Sequence, residues 1–302
     1  MDLDPEQIFY LCWSNSFDLL HIMLAEIIRL IESRIQLDEG QRGIRALIQP
    51  NSALFSAARE LSGLKSIGIL TGFPCIQNNN PPIENDGIGG TLAIARAIES
   101  CGGHSTILID SPYVEVIKNL SDWHNLQYGS HINVSSSRNL EFDGIVSIER
   151  SGRAKDGNYY TMRGRNISNL LEPLDVIYME DKDIGVKVGI GDGGNEAGMG
   201  NLIGLVERYI PNGELIACNV RCHHPIVSSV STWGGYGLAF AMCLCKNVPA
   251  VVNNAQERQI AEKICELNIR DGVTGLPTVS IDGLDWSVTD NIITDLSRLA
   301  NS

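Results

Sequence analysis

The sequence predicts an α/β fold: a mostly parallel twisted sheet covered by helices on both faces, with an N-terminal helical extension. Three observations predict it. Short apolar runs recur from residue 66 onward, each bounded by polar or glycine-rich turns. Helical stretches closed by glycine stand between them, so crossovers return the chain to parallel neighbours. Polar segments of unusual length follow several of those runs, and long loops inside compact folds usually carry function.

Residues 5–35 have helical periodicity, with Ile8, Leu11, Cys12, Leu19, Ile22, Met23, Ile27, Ile28 and Ile31 on one stripe. Ser52 is a natural N-cap for "SALFSAARELSG", which stops at Gly63. The expected strands are "SIGILTGF", "STILID", "FDGIVSIE", "VKVGI" and "ELIACNV", with "GGTLAIARAIESCGG" as the helix after the first. One domain is expected over 1–302, divided into a helical extension (1–42) and an α/β core (43–302).

A net charge of −13 argues against nucleic acid or an anionic membrane surface as partner. The eight cysteines sit mostly in apolar runs and lack framework spacing, which fits a reducing cytosol or organelle matrix. "MDLDPEQ" has neither the apolar core of a signal peptide nor the arginines of a transit peptide. No uncharged apolar run is long enough to span a membrane.

Three segments follow strand ends and should share one edge of the sheet. They are residues 71–87, residues 150–166 and the turn in "VKVGIGDGGNEAGMGN". In that turn Gly189, Gly191 and Gly194 satisfy GxGxxG. Asp192 and Glu196 would repel a pyrophosphate there, so no nicotinamide or flavin cofactor is expected. An acidic site is favoured over a nucleotide cradle or a plain tight turn, with Asp192, Asn195 and Glu196 as catalytic candidates. A helix beginning at the turn would put Asp192 and Glu196 on one face. There they would hold a divalent cation such as Mn²⁺ or Mg²⁺, or share proton transfer. Asp86, Asp192 and Glu196 are the candidate ligands.

The first loop brings Glu84 and Asp86 ahead of a helix near Gly87, as charges complementing the helix start or as substrate contacts. The second carries Glu149, Arg150, Arg153, Lys155, Asp156, Tyr159, Arg163 and Arg165 within 17 positions. Guanidinium groups suit bidentate carboxylate binding, and solvated surface is the alternative. In "STWGGYG", Ser231 or Thr232 caps a helix, while Trp233 and Tyr236 wall a pocket or pack in the core. Candidate substrate contacts are therefore Glu84, Asp86, Glu149, Arg150, Arg153, Asp156, Tyr159, Arg163, Ser231 and Trp233. Cys218, Cys222, His223 and His224 match no common zinc spacing. Neither a GxSxG elbow nor a P-loop is present.

The blocks "TGFP…ENDGIGG", "ERSGRAKDGNYYTMRG", "GIGDGGNEAGMG", "STWGGYGL" and "DGVTG…SIDGLDW" resemble, in order, the signature blocks of the D-glutamate cyclase C-terminal-like family. The first block departs from the ETDGPPG-like core of relatives: Asn85 and the missing prolines change the loop, while Glu84 and Asp86 remain. The resemblance implies a hydro-lyase acting on a small amino acid, converting D-glutamate to 5-oxo-D-proline and water. In animals the domain looks like the C-terminal half of a longer mitochondrial protein, after a hydro-lyase-like domain. The implied location is therefore the mitochondrial matrix or the cytoplasm, and the implied partner a homo-oligomer mate or a separate hydro-lyase-like domain. Two rivals stand beside this reading: an α/β enzyme for another small amino acid or carboxylate, and a non-catalytic binding or regulatory module lacking its partner domain.

Overall fold

A computed structural model of the chain describes residues 21–38, 43–50, 52–137, 140–180 and 183–302. The first helix, α1, covers 21–35, and the rest of the predicted extension, 1–20 and 39–42, lies outside the described residues. There follow α2 (Ala53–Leu61), β1 (Ser66–Gly72), α3 (Ile88–Ser100), β2 (His104–Leu108), α4 (Val114–Tyr128), β3 (Asn133–Ser135) and β4 (Gly144–Arg150). Next come α5 (Ile177–Glu180), β5 (Val186–Gly191), α6 (Ile203–Tyr209), α7 (Gly213–Ile216) and β6 (His224–Val227). The chain closes with α8 (Ser231–Lys246), α9 (Asn254–Glu266), β7 (Ser280–Ile281), β8 (Leu284–Asp285) and α10 (Trp286–Ala300).

The six-stranded sheet runs β3-β2-β1-β4-β5-β6, with every neighbouring pair parallel. The chain builds outward from β1, then returns to β4 and builds the other way. Strand order thus reverses between β1 and β4, and in such sheets the crevice outside that reversal binds the ligand. The strands read as nearly unbroken apolar runs because both faces are covered. Val146 and Ile148 of β4 enter a core shared with α1, α2, α3, α8, α9 and α10. Ile145 faces the other way, into a core with α5, α6 and the turn at 44–47, as a period of two requires. Ile28, Ile31 and Ile35 bury α1 in the larger core. Among the described residues, no helix is long and apolar enough to cross a membrane.

Two expected elements are corrected. "ELIACNV" is not a strand: Gly213–Ile216 is a short helix entered through Asn212 at φ 60. The residues after it run irregularly, and the carbonyl of Val220 accepts the N–H groups of Gly198 (3.2 Å) and Gly200 (2.8 Å). Its apolar residues line the smaller core, including Ile216, Ala217, Cys218 and Val220. Periodicity alone does not separate such a buried segment from a ladder strand. The strand beside β5 is β6 instead. The predicted helix start at the glycine turn is also absent, because residues 192–199 form turns and isolated bridges. Gly194 at φ +86 takes the chain out of the helical region there.

Helices α3 and α8 approach backbone to backbone. A Cβ added at Gly235 would lie 2.5 Å from Cα of Gly90 and 2.8 Å from Ile148. Gly→Ala in a helix normally gains about 1 kcal/mol, but overpacking a tight core costs about 1–3 kcal/mol. Gly235→Ala should therefore lower Tm despite its better helix propensity. An unchanged or higher Tm by circular dichroism would mean the two helices can separate at little cost.

Candidate active site

The crevice at the strand reversal holds a cavity of about 110 Å³, the scale of one small metabolite. Its lining comes from four segments: Phe73, Cys75 and Glu84; Glu149, Thr161, Met162, Arg163 and Arg165; Asp192 and Asn195; and Gly272, Val273 and Asp282. The three segments expected to converge do so, and a fourth joins them.

Glu149 is the penultimate residue of β4, at the bulge that interrupts β1–β4 pairing. It adopts φ +41, a conformation that costs a non-glycine residue on the order of 1–3 kcal/mol and clusters at functional sites. Its side chain is buried, and Oε2 has no hydrogen-bond partner among the described residues. Burial above all, then the charges of Asp86, Glu196 and Glu84, raise its carboxyl well above the ordinary range, against the nearby Ser231 hydroxyl. Burial and the neighbouring carboxylates thus favour its protonated form.

Asp192 lies at the end of β5, where one of its oxygens is within 4.8 Å of oxygens of Glu149 and Glu196. Glu196 faces its own turn and not the cavity. Its carboxylate accepts the backbone N–H groups of Asp192 (3.1 Å), Gly193 (2.7 Å) and Gly194 (2.7 Å). The donors that a phosphate would need in this turn are taken by a side chain. This corrects the expectation of Glu196 as a proton-transfer acid: it shapes the loop that presents Asp192. Asn195 donates from Nδ2 to the carbonyl of Tyr160 at 2.8 Å. That bond fixes which amide atom is which, since only nitrogen can donate to a carbonyl. Its Oδ1 is buried and has no hydrogen-bond partner among the described residues.

Asp86 sits behind the lining. Its carboxylate accepts from the N–H groups of Gly87 (2.7 Å), Ser231 (2.9 Å) and Thr232 (2.8 Å). The cap of α8 is thus Asp86, neither Ser231 nor Thr232 as expected. Burial, and next the charge of Asp282, push Asp86 up from 3.8 to about 7, while its bonds to Thr232 and Gly87 work the other way.

Several loop candidates are placed elsewhere. Arg150 is fully buried, in an ion pair with Asp110, and donates to the carbonyl of Glu172 at 2.6 Å. Its charge is already committed, which corrects its expected role as a substrate clamp. Tyr159 donates to Asp175 at 2.6 Å, and the backbone N–H of Arg153 donates to the same carboxylate at 3.0 Å. Neither Arg153 nor Tyr159 lines the cavity. Asp156 is exposed and accepts from Asn158 (2.9 Å) and Tyr160 (2.5 Å), closing its own turn. Trp233 is a core residue whose indole N–H donates to Thr289 at 3.0 Å. Ser231 is buried beside Asp86, off the lining. Arg163 and Arg165 are exposed at the rim and are the guanidinium groups that face the cavity.

Asp282 was not singled out by sequence reasoning. It adopts φ +55, followed by Gly283 at φ +76, between β7 and β8. An Asp-Gly pair between short runs is a hairpin signal, and that was the clue available. Asp271 fastens this segment by accepting from Val273 (2.9 Å), Thr274 (2.8 Å), Ser280 (2.7 Å) and Gly283 (2.8 Å). Asn85 then docks the first loop onto it, donating from its backbone to Arg270 at 2.8 Å and from Nδ2 to Ser280 at 2.6 Å.

Fold and site together define an α/β protein with a small, carboxylate-lined cavity at the carboxyl edge of a parallel sheet. The chain belongs to the D-glutamate cyclase-like, C-terminal family, whose model matches residues 31–297. It is 31% identical over 327 aligned positions to the human protein named D-glutamate cyclase, mitochondrial, a match covering 91% of this chain. The chain spans about half the length of that relative, 52% of it.

Both acids, Asp86 and Glu149, are shifted toward their protonated forms in the folded protein relative to the unfolded chain. Their contribution to stability is full below about pH 4 and is lost as pH climbs through the folded values. With EDTA present, Tm should fall between about pH 5 and about pH 8, and Glu149→Gln should flatten that fall. Equal slopes for the two proteins in scanning calorimetry would contradict a raised Glu149 carboxyl.

Proposed function

We propose that this chain is a hydro-lyase of the D-glutamate cyclase type, converting D-glutamate to 5-oxo-D-proline and water. The observation that carries this reading is Glu149, buried, with one oxygen lacking a partner among the described residues and its carboxyl raised, beside Asp192 in a cavity sized for one amino acid. Family membership supplies the substrate, through the name of the human relative.

Cyclisation needs a base and an acid at once. Asp192 takes a proton from the substrate ammonium, freeing the amine to attack the side-chain carboxyl carbon. The C–N bond forms as Glu149 protonates a carboxyl oxygen. The nitrogen then gives up its second proton, the C–O bond breaks, and water leaves with both protons. Return of the proton on Asp192 to Glu149 restores the starting state, so no net proton is consumed. Arg163 and Arg165 at the rim would hold the α-carboxylate, leaving the reacting end among the acids.

Asp192→Asn and Glu149→Gln should each lower kcat by about 10²–10⁴-fold, with Tm little changed because each replacement keeps a hydrogen-bonding group of similar size. Arg163→Lys should raise KM, since the planar fork is lost while charge is kept. Following 5-oxo-D-proline by chiral chromatography tests the whole reading. Turnover of L-glutamate, D-aspartate or D-glutamine in place of D-glutamate would reassign the substrate, and no turnover of any would refute the cyclase.

A second reading draws on the chain spanning about half of its relative: a binding module that works with a separate hydro-lyase-like domain. Turnover by the purified chain alone would exclude it. The relative's name also extends the proposal to the mitochondrion as the place of action.

A further inference from the structure

A second polar cluster lies off the lining of the active-site cavity. Arg96 of α3, 7% exposed, forms an ion pair with Glu257 of α9, which is fully buried. Its other nitrogens meet the carbonyl of Val251 at 3.2 Å and Nε2 of His124, on α4, at 2.9 Å. A guanidinium can only donate, so that imidazole nitrogen accepts. Burial, and next the Arg96 charge, lower His124 to about 3, which leaves Glu257 to balance the guanidinium. Burial pushes Glu257 up to about 7, against the Arg96 charge and the Tyr236 hydroxyl beside it.

Beside Glu257 the fold encloses a second cavity, of about 10 Å³. A buried water needs about 10–15 Å³ of such space and two to four polar partners. Asn85, Tyr236 and Glu257 give the wall its polar part, and residues of α9 with Ile281 and Trp286 its apolar part. Two acceptors on these residues have no partner among the described residues, Oε2 of Glu257 and Oδ1 of Asn85. The second is identified by its sister atom, because Nδ2 of Asn85 donates to the carbonyl of Ser280 at 2.6 Å. An ionised carboxylate and an amide oxygen only accept, so neither can satisfy the other. A water molecule brings two donors, one for each.

We propose that this second cavity binds one water that donates to Glu257 and Asn85, and that Glu257 thereby acts as a positioning residue for the active-site loop. Asn85 stands between Glu84, which lines the active-site cavity, and Asp86, which caps α8. Its direct bonds, to Arg270 and Ser280, hold it from the side of the β7–β8 hairpin. A bridging water is nearly as good as a direct hydrogen bond, and it ties the same residue to α9. Through Arg96 the tie continues to α3 and α4. Loop and helices already meet closely, since a methyl group at Gly89 would lie 3.1 Å from the Tyr236 hydroxyl. The inference deepens the cyclase reading and rests on it only for the kinetic measurement, since the water and the order of the loop are read without turnover.

The test fills the cavity while leaving both acceptors in place. Ala261 lines it from α9 and Val279 from the residue before β7, so Ala261→Val and Val279→Ile each add apolar volume there. Ala255, exposed on α9, takes the same alanine-to-valine change as a control for helix propensity. Crystals of the full wild-type chain at pH 8 should show one ordered water within about 2.7–3.2 Å of both oxygens, and Ala261→Val should show none. Hydrogen exchange at residues 84–90 should quicken by about tenfold in both filled variants, while β1 and the Ala255→Val protein keep the wild-type rate. With D-glutamate, kcat of the filled variants should fall by about 10–100-fold as the loop shifts. A dry cavity in wild-type crystals overturns the proposal, as does unchanged exchange at 84–90 in a folded filled variant. Faster exchange with unchanged kcat overturns the positioning role. Should Ala261→Val fail to fold, Val279→Ile gives the same reading with a smaller addition. A wild-type chain that holds the water yet leaves D-glutamate unchanged, with exchange still faster in the filled variants, keeps the brace and loses only the cyclase reading.

Discussion

One buried carboxylate sets the geometry on which the rest of the site depends. Asp86 accepts three backbone N–H groups, from the start of α3 and the start of α8. Hydrogen bonds to a charged group contribute about 1.5–3 kcal/mol each, which offsets much of the cost of burying the acid. Three donors around one carboxyl favour its ionised form, whereas burial and the Asp282 charge oppose it. The tie joins segments 145 positions apart. It fixes the first loop against α8, and through the glycine contact of α3 with α8 it fixes both helices under β4. Glu149, at the end of that strand, inherits its position from this arrangement.

The cavity carries the opposite balance. Structural acids here are saturated with donors, as Glu196 is by three N–H groups of its own turn. Glu149 leaves an oxygen without one. Folding alone would favour a satisfied group at that point.

Much of the architecture was legible in the sequence because it rests on local pattern. The runs at β1, β4 and β5 and the glycine-closed helix α3 carry period and punctuation within a few residues of each other. The shared edge followed from topology. What was not legible depends on distant partners. Nothing near Arg150 reveals that Asp110, 40 positions earlier, occupies its guanidinium. Nothing near Trp233 reveals Thr289. The turn at 192–196 could be read for its acids but not for its shape, since spacing assumes a helix and Gly194 removes it. Asp282 was hidden for the opposite reason: an aspartate before glycine in a hairpin is explained completely by turn chemistry.

The contact between Gly87 and Glu149 has a consequence for how this site can vary. Glu149 is in a left-handed conformation, and a methyl group at 87 would collide with its Cβ. Gly87 is itself at φ +77, so a side chain there is excluded twice over. The two positions therefore cannot drift independently. Any lineage that replaces the glycine must first let the β4 end relax, and relaxing it withdraws the carboxyl from the cavity. Substitutions at 87 are thus conditional on loss of the conformation at 149, and the pair should persist or vanish together through descent.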